Sequence, residues 1–208
     1  MTESLDSWGC ITDANVSEKI ERTSKYKVQL LNMANCVQEI LLEYKTNNTH
    51  FEHFLMDGSL LGAFRTGKMI EHDYDFDFGI YFGDNANNLI ELYEFIKERL
   101  SNYNKNYECK LVNTYSHKIE VYDPSLGTHS DVAEDFYNCI MDLQLYRIDQ
   151  DDTDILRIQY FKDDYHKHCN FQVDWFFPLS TINFENYAYP CANNPEKVLT
   201  EIYGYIGT

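Results

Sequence analysis

Residues 73–81 alternate acidic and aromatic side chains, Asp73-Tyr74-Asp75-Phe76-Asp77-Phe78, before closing on Gly79-Ile80-Tyr81. Successive side chains of a β-strand point to opposite faces. As a strand, the segment carries Asp73, Asp75 and Asp77 on one face and Tyr74, Phe76, Phe78 and Ile80 on the other. The aromatic face asks for burial, so a freely solvated acidic ribbon explains the segment poorly. Three neighbouring carboxylates repel one another unless something cationic lies between them. Hard oxygen ligands on a rigid strand suit Mg²⁺ or Mn²⁺, and those ions suit phosphate chemistry.

The flanking sequence places this strand in an α+β chain. Over residues 17–46, Leu30, Ala34, Val37, Leu41 and Tyr44 recur at the spacing of one helix face, with Ser17 as N-cap and Asn47-Asn48 as stop. Residues 51–56 read as a short strand. Asp57-Gly58-Ser59 then turns into a helix over 60–65 that ends near Gly67. A further helix is predicted over 87–103, with Leu89, Leu92, Phe95, Ile96 and Leu100 inward. Strands follow over 107–113, 117–122, 138–148, 155–161 and 170–177, with 149–154 and 162–167 as hairpin connections. Pro195, in its favoured first-turn position, opens a last helix that ends at Gly204. The order predicts one domain over 1–208: an N-terminal helical segment, 1–50, and a motif-bearing core, 51–204, with a mixed sheet flanked by helices.

Charge narrows the partners. The formal net charge is -17, whereas nucleic-acid binding relies on a basic footprint, so a polynucleotide ligand is disfavoured. An acidic surface also repels anionic membranes. No apolar run reaches 18 residues and the N-terminus lacks the apolar stretch of a signal peptide. The expectation is a soluble, cytoplasmic chain without stable membrane insertion, or one in the secretory lumen if a leader precedes it. Cys10, Cys36, Cys109, Cys139, Cys169 and Cys191 are scattered without a C-x-x-C pair and read as reduced, mostly buried thiols. The sequons at Asn15 and Asn47 matter only in a secretory setting. His166 and His168 share a strand-like face, but no second ligand pair accompanies them to make a zinc site.

Phosphoryl transfer needs a holder for the donor phosphates, a metal to absorb charge, and a base for the attacking hydroxyl. The Gly58-Ser59 turn can bring backbone N–H groups close to a phosphate at the start of the following helix. Arg65, and more weakly Lys68, are candidates to clamp the same phosphates. Asp75 and Asp77 are candidate metal ligands. The third is expected from a neighbouring strand, and Asp174 fits as a lone acid within Val173, Trp175, Phe176 and Phe177.

Together these residues resemble the LicD/fukutin family of nucleotidyltransferase-fold phosphotransferases. The family pattern joins a small-residue turn and L-L-G-x-x-R to a Trp-Asp-Asp-Asp-hydrophobic-Asp strand. Here the corresponding residues are Gly58-Ser59-Leu60-Leu61-Gly62-Ala63-Phe64-Arg65 and His72-Asp73-Tyr74-Asp75-Phe76-Asp77. Val173-Asp174-Trp175-Phe176-Phe177-Pro178 is similar to a downstream family segment, and Pro195 to Tyr203-Gly204 to the family's tail. Tyr74 and His72 depart from the pattern, where the family has Asp and Trp. The resemblance implies a nucleotidyltransferase fold and transfer of a phospho-substituent, such as ribitol phosphate or phosphocholine, from a CDP-linked donor to a carbohydrate hydroxyl. It also implies that Asp75, Asp77 and Asp174 hold Mg²⁺ or Mn²⁺, that Asp174 or Asp77 helps deprotonate the acceptor, and that Gly58, Ser59 and Arg65 hold the donor diphosphate. Two alternatives stay open, a nucleotidyltransferase that moves a nucleoside monophosphate and a catalytically silent binding scaffold.

Overall fold

Helix α1 runs over Asp13–Asn47. The stripe expected to face inward, Leu30, Ala34, Val37, Leu41 and Tyr44, is buried along with Met33 and Ile40. The structure, a computed structural model, describes residues 13–83, 88–113, 117–128, 137–158 and 170–207. Cys10, Tyr115, His166, His168, Cys169, the end of the strand expected to reach 161 and the connection 162–167 lie outside the described residues.

In chain order, α1 is followed by β1 (Glu52–Leu55), α2 (Asp57–Thr66), β2 (Asp75–Tyr81), α3 (Leu89–Tyr103), β3 (Glu108–Val112) and β4 (Lys118–Tyr122). Then come β5 (Ile140–Ile148), β6 (Ile155–Ile158), β7 (Phe171–Gln172), α4 (Val173–Phe176), β8 (Ser180–Phe184), β9 (Tyr187–Cys191) and α5 (Pro195–Tyr203). The main sheet has the order β1-β2-β5-β4-β3, and β6 joins β5 to β7. Strands β2 and β5 are parallel, while the other pairs are antiparallel. The fold is therefore α+β with a mixed sheet.

The two sheet faces differ as the alternation of β2 requires. Phe76, Phe78 and Ile80 are fully buried and join α1 and α3 in one core. His53, on β1, belongs to this layer, with its ring stacked on Phe51 and edge-on to Phe78. The opposite face carries charge. Asp77 pairs with Asp142, Asp142 with Glu120, and Glu120 with Lys110, so one row of charged side chains crosses four strands on one face.

Several segments depart from expectation. Gly58 and Ser59 do not form a turn before a helix; they lie inside the first turn of α2, which already starts at Asp57. The strand expected over 170–177 is only β7, and its aromatic remainder is the short helix α4, with Pro178 unable to extend a ladder. Carbonyls of Trp175 and Phe176 accept instead from Asn194 and Asn193. The β8–β9 hairpin was not expected; its turn residues Glu185 and Asn186 both have positive φ, at 49° and 72°. In addition, β2 begins at Asp75, so Asp73 lies just ahead of the strand.

Candidate active site

The site is seated by the join between β1 and α2. The Met56 N–H donates to the Asp77 carbonyl and the Asp77 N–H donates to Ser59 Oγ at 3.0 Å, which ties the first turn of α2 to β2. Ser59 is only 2% exposed, so its hydroxyl is part of this seat. Asp57 reverses the chain between strand and helix at φ 46°, a left-handed conformation that Asp tolerates better than most residues. The space above Gly58 belongs to Asp73: a Cβ there would meet Asp73 Oδ2 at 2.3 Å. Glycine is thus required by the close approach of a carboxylate to the start of α2.

Five carboxylates share this corner: Asp57 on α2, Asp73 before β2, Asp75 and Asp77 on β2, and Asp142 on β5. Burial first, then the charge of Asp75, pushes Asp57 up to about 6. Burial, the Asp75 charge and a hydrogen bond to Asp75 push Asp73 up to about 9. Burial and the charges of Asp75, Asp57, Asp73 and Asp142 raise Asp77 well above the usual carboxylate range. Burial also raises Asp142 to about 6, although Lys118 Nζ donates to its Oδ2 at 2.6 Å. Lys118 also reaches Glu120 at 2.8 Å, and Lys110 meets Glu120 at 3.1 Å. Tyr203, on α5, lies close enough to feel these charges. Burial, then the charges of Asp57, Asp77, Asp73 and Asp75, raises its phenol above its ordinary value.

The third carboxylate beside Asp75 and Asp77 is Asp142, not Asp174. Asp174 is exposed on α4, so the cost of burial that recommended it is absent. It follows β7, whose Gln172 pairs with Ile155, which in turn lines up with the Asp149 end of β5. Asp142 lies near the opposite, N-terminal end of β5. Sequence holds a sign of Asp142, a lone acid among Ile140, Met141, Leu143 and Leu145, but the parallel pairing that brings it to Asp77 joins distant segments. Arg65 and Lys68 are likewise apart from the acids. Arg65 lies seven residues beyond Gly58, about 10 Å along α2, and its Nε donates to the Ile206 carbonyl at 2.6 Å. Lys68 is exposed beyond the Gly67 C-cap.

This donor set suits a hard divalent cation. It is all oxygen and crowded with negative charge, and Asp73 Oδ2 is buried without a hydrogen-bond partner among the described residues. Among those residues, no three His, Cys, Asp or Glu side chains are already gathered as a metal-holding group. A hydrogen bond between Asp73 and Asp75 relieves part of the repulsion that a cation would relieve further.

Cys36, Cys109, Cys139 and Cys191 are free thiols, and no helix among the described residues is long and apolar enough to cross a membrane. A family model described as LicD/FKTN/FKRP, nucleotidyltransferase domain, matches residues 50–194. That span holds β1 through β9 and all five carboxylates, and it leaves α1 outside. No curated protein matches the chain.

Proposed function

The chain belongs to the LicD/FKTN/FKRP family, and from its nucleotidyltransferase domain we propose a metal-dependent phosphotransferase that moves a phospho-substituent from a CDP-linked donor to a carbohydrate hydroxyl. The family supports an enzyme of the transferase kind; the donor, the acceptor and the metal are our reading. The observation that carries it is the meeting of Asp75 and Asp77 on β2 with Asp142 on the parallel neighbour β5, against the first turn of α2. Asp75, Asp77 and Asp142 are the residues to hold Mg²⁺ or Mn²⁺. The ion would neutralise charge on the transferring phosphate.

The chain's own groups set the geometry. Lys118 fixes Asp142 through Oδ2, and Ser59 fixes the backbone of Asp77, so the acids approach the phosphate from a rigid sheet. The amides of Gly58 and Ser59, in a first turn that has no preceding helical carbonyls, face the donor phosphates. A carboxylate of this cluster takes the proton of the acceptor hydroxyl. Arg65 serves a different end in this reading, anchoring the tail at Ile206.

Product analysis tests the reading. With Mg²⁺, a carbohydrate acceptor and a panel of CDP-ribitol, CDP-choline and CDP-glycerol, the expected result is CMP release with one donor, abolished by Asp75→Asn. Pyrophosphate release from CTP would replace it with nucleotidyl transfer, a reaction the same fold serves. A biological effect that survives Asp75→Asn would mark a scaffold.

A further inference from the structure

Several cations among the described residues are already engaged. Lys118 is held between Asp142 and Glu120, Lys27 pairs with Glu185 at 2.5 Å, and Arg65 donates to the tail. Arg22 is different. It lies on α1, outside residues 50–194, is 9% exposed, and its Nε has no hydrogen-bond partner among the described residues. Leaving a buried guanidinium N–H unmet is costly, so such groups normally find a partner.

Its surroundings hold the guanidinium against the segment that carries the acids, within reach of the Asp75 charge. Arg22 stacks at 4.2 Å over the ring of Tyr74, the residue between Asp73 and Asp75. Its Nη2 donates to the Tyr137 carbonyl at 3.0 Å. The neighbouring Thr23 Oγ1 donates to the Asp73 carbonyl at 2.8 Å, which fastens this turn of α1 to the acidic segment. Lys19, three residues earlier on the same helix face, lies 5.8 Å from the Tyr74 ring centre. Burial lowers the Arg22 pKa from its ordinary value, whereas Tyr74 and Asp75 act to raise it, and an arginine stays charged throughout.

We propose that Arg22 binds a phosphate of the donor's diphosphate beside the carboxylates, with Lys19 as a second positive charge, so that α1 completes the active site from outside the family domain. This rests on the phosphotransferase reading above. A guanidinium offers a planar fork that matches phosphate oxygens, and its seat on Tyr74 fixes the fork in advance.

Calorimetric titration of the full chain with Mn²⁺ alone, and with CDP in the presence of Mn²⁺, tests the assignment. Arg22→Gln is expected to weaken CDP binding tenfold or more while binding Mn²⁺ alone no more weakly than the parent. Arg22→Lys should recover CDP binding only in part, because it keeps the charge and loses the fork. Parental CDP affinity in Arg22→Gln overturns the proposal and leaves the phosphotransferase reading standing. A parent that binds Mn²⁺ but not CDP overturns both. If Arg22→Gln does not fold, judged by its circular dichroism melt, Tyr74→Leu removes the seat but keeps the cation. Reduced CDP affinity in Tyr74→Leu supports the proposal, and unchanged affinity overturns it.

Discussion

Replacing Lys118 with Met tests how the site holds its crowded acids. The ammonium lies 2.6 Å from Asp142 and 2.8 Å from Glu120, with 20% of its side chain exposed. At an effective dielectric of about 20, each contact is worth a gross attraction of about 6 kcal/mol, most of it offset by desolvation of the ions. Removing one partner of a buried pair typically costs about 3–5 kcal/mol, because the other charge is left alone. Here Glu120 keeps Lys110, and 24% of the Asp142 side chain still meets water, so the expected loss is about 2–3 kcal/mol at pH 8. The loss should shrink towards pH 4. Asp142 has a folded value raised to about 6 from 3.8, and losing Lys118 raises it further. A raised carboxylate contributes stability that is present below the unfolded value and lost as pH rises through the folded one. Urea denaturation of the parent, Lys118→Met, Asp142→Asn and the double variant gives the coupling directly. A cost below about 0.5 kcal/mol, or simple additivity with Asp142→Asn, would refute a Lys118–Asp142 pairing inside the site.

Further expectations follow from single residues. Asp73→Asn should stabilise the metal-free protein by roughly 1–3 kcal/mol at pH 8 and little at pH 4, because burial and Asp75 raise Asp73 to about 9; equal melting temperatures for parent and variant at pH 8 would contradict this. His53 is 1% exposed with neither ring nitrogen partnered among the described residues, and burial lowers it to about 3. Its stability contribution is present above about 6.5 and lost as pH falls towards 3, at no more than about 1.4 kcal/mol per pH unit. His53→Phe should therefore gain on the parent between pH 7 and pH 5 in urea denaturation, and a constant difference would dismiss the effect. Gly79→Ala should cost about 1–3 kcal/mol, since a Cβ would lie 2.2 Å from the ring of the fully buried Phe54; an unchanged melting temperature would show that the ring yields freely.

Local pattern carried much of the fold. The alternation of β2 and the stripe on α1 are set by neighbouring residues, and both face the core as their spacing requires. The β8–β9 hairpin was not legible, because Glu185-Asn186 has no glycine to advertise its positive φ values. The first turn of α2 was hidden for the opposite reason: Asp57-Gly58-Ser59 has the composition of a turn, yet Ser59 and Met56 bind it to β2 as helix. Among the proposed site residues, spacing alone singles out Asp75 and Asp77, whereas Asp142 comes from a parallel strand and Arg22 from a helix remote in sequence. Asp174, a lone acid among aromatics, carries the cost that marks a site only if it is buried, and its side chain is exposed.

The central claim is that Asp75, Asp77 and Asp142 form a divalent-metal centre. Mn²⁺ binding, followed by electron paramagnetic resonance for the parent, Asp75→Asn, Asp142→Asn and Asp174→Asn, tests it most directly. The account predicts that the parent and Asp174→Asn bind alike, while Asp75→Asn and Asp142→Asn each lose tenfold or more in affinity. Parental binding in Asp142→Asn, or loss confined to Asp174→Asn, would contradict it.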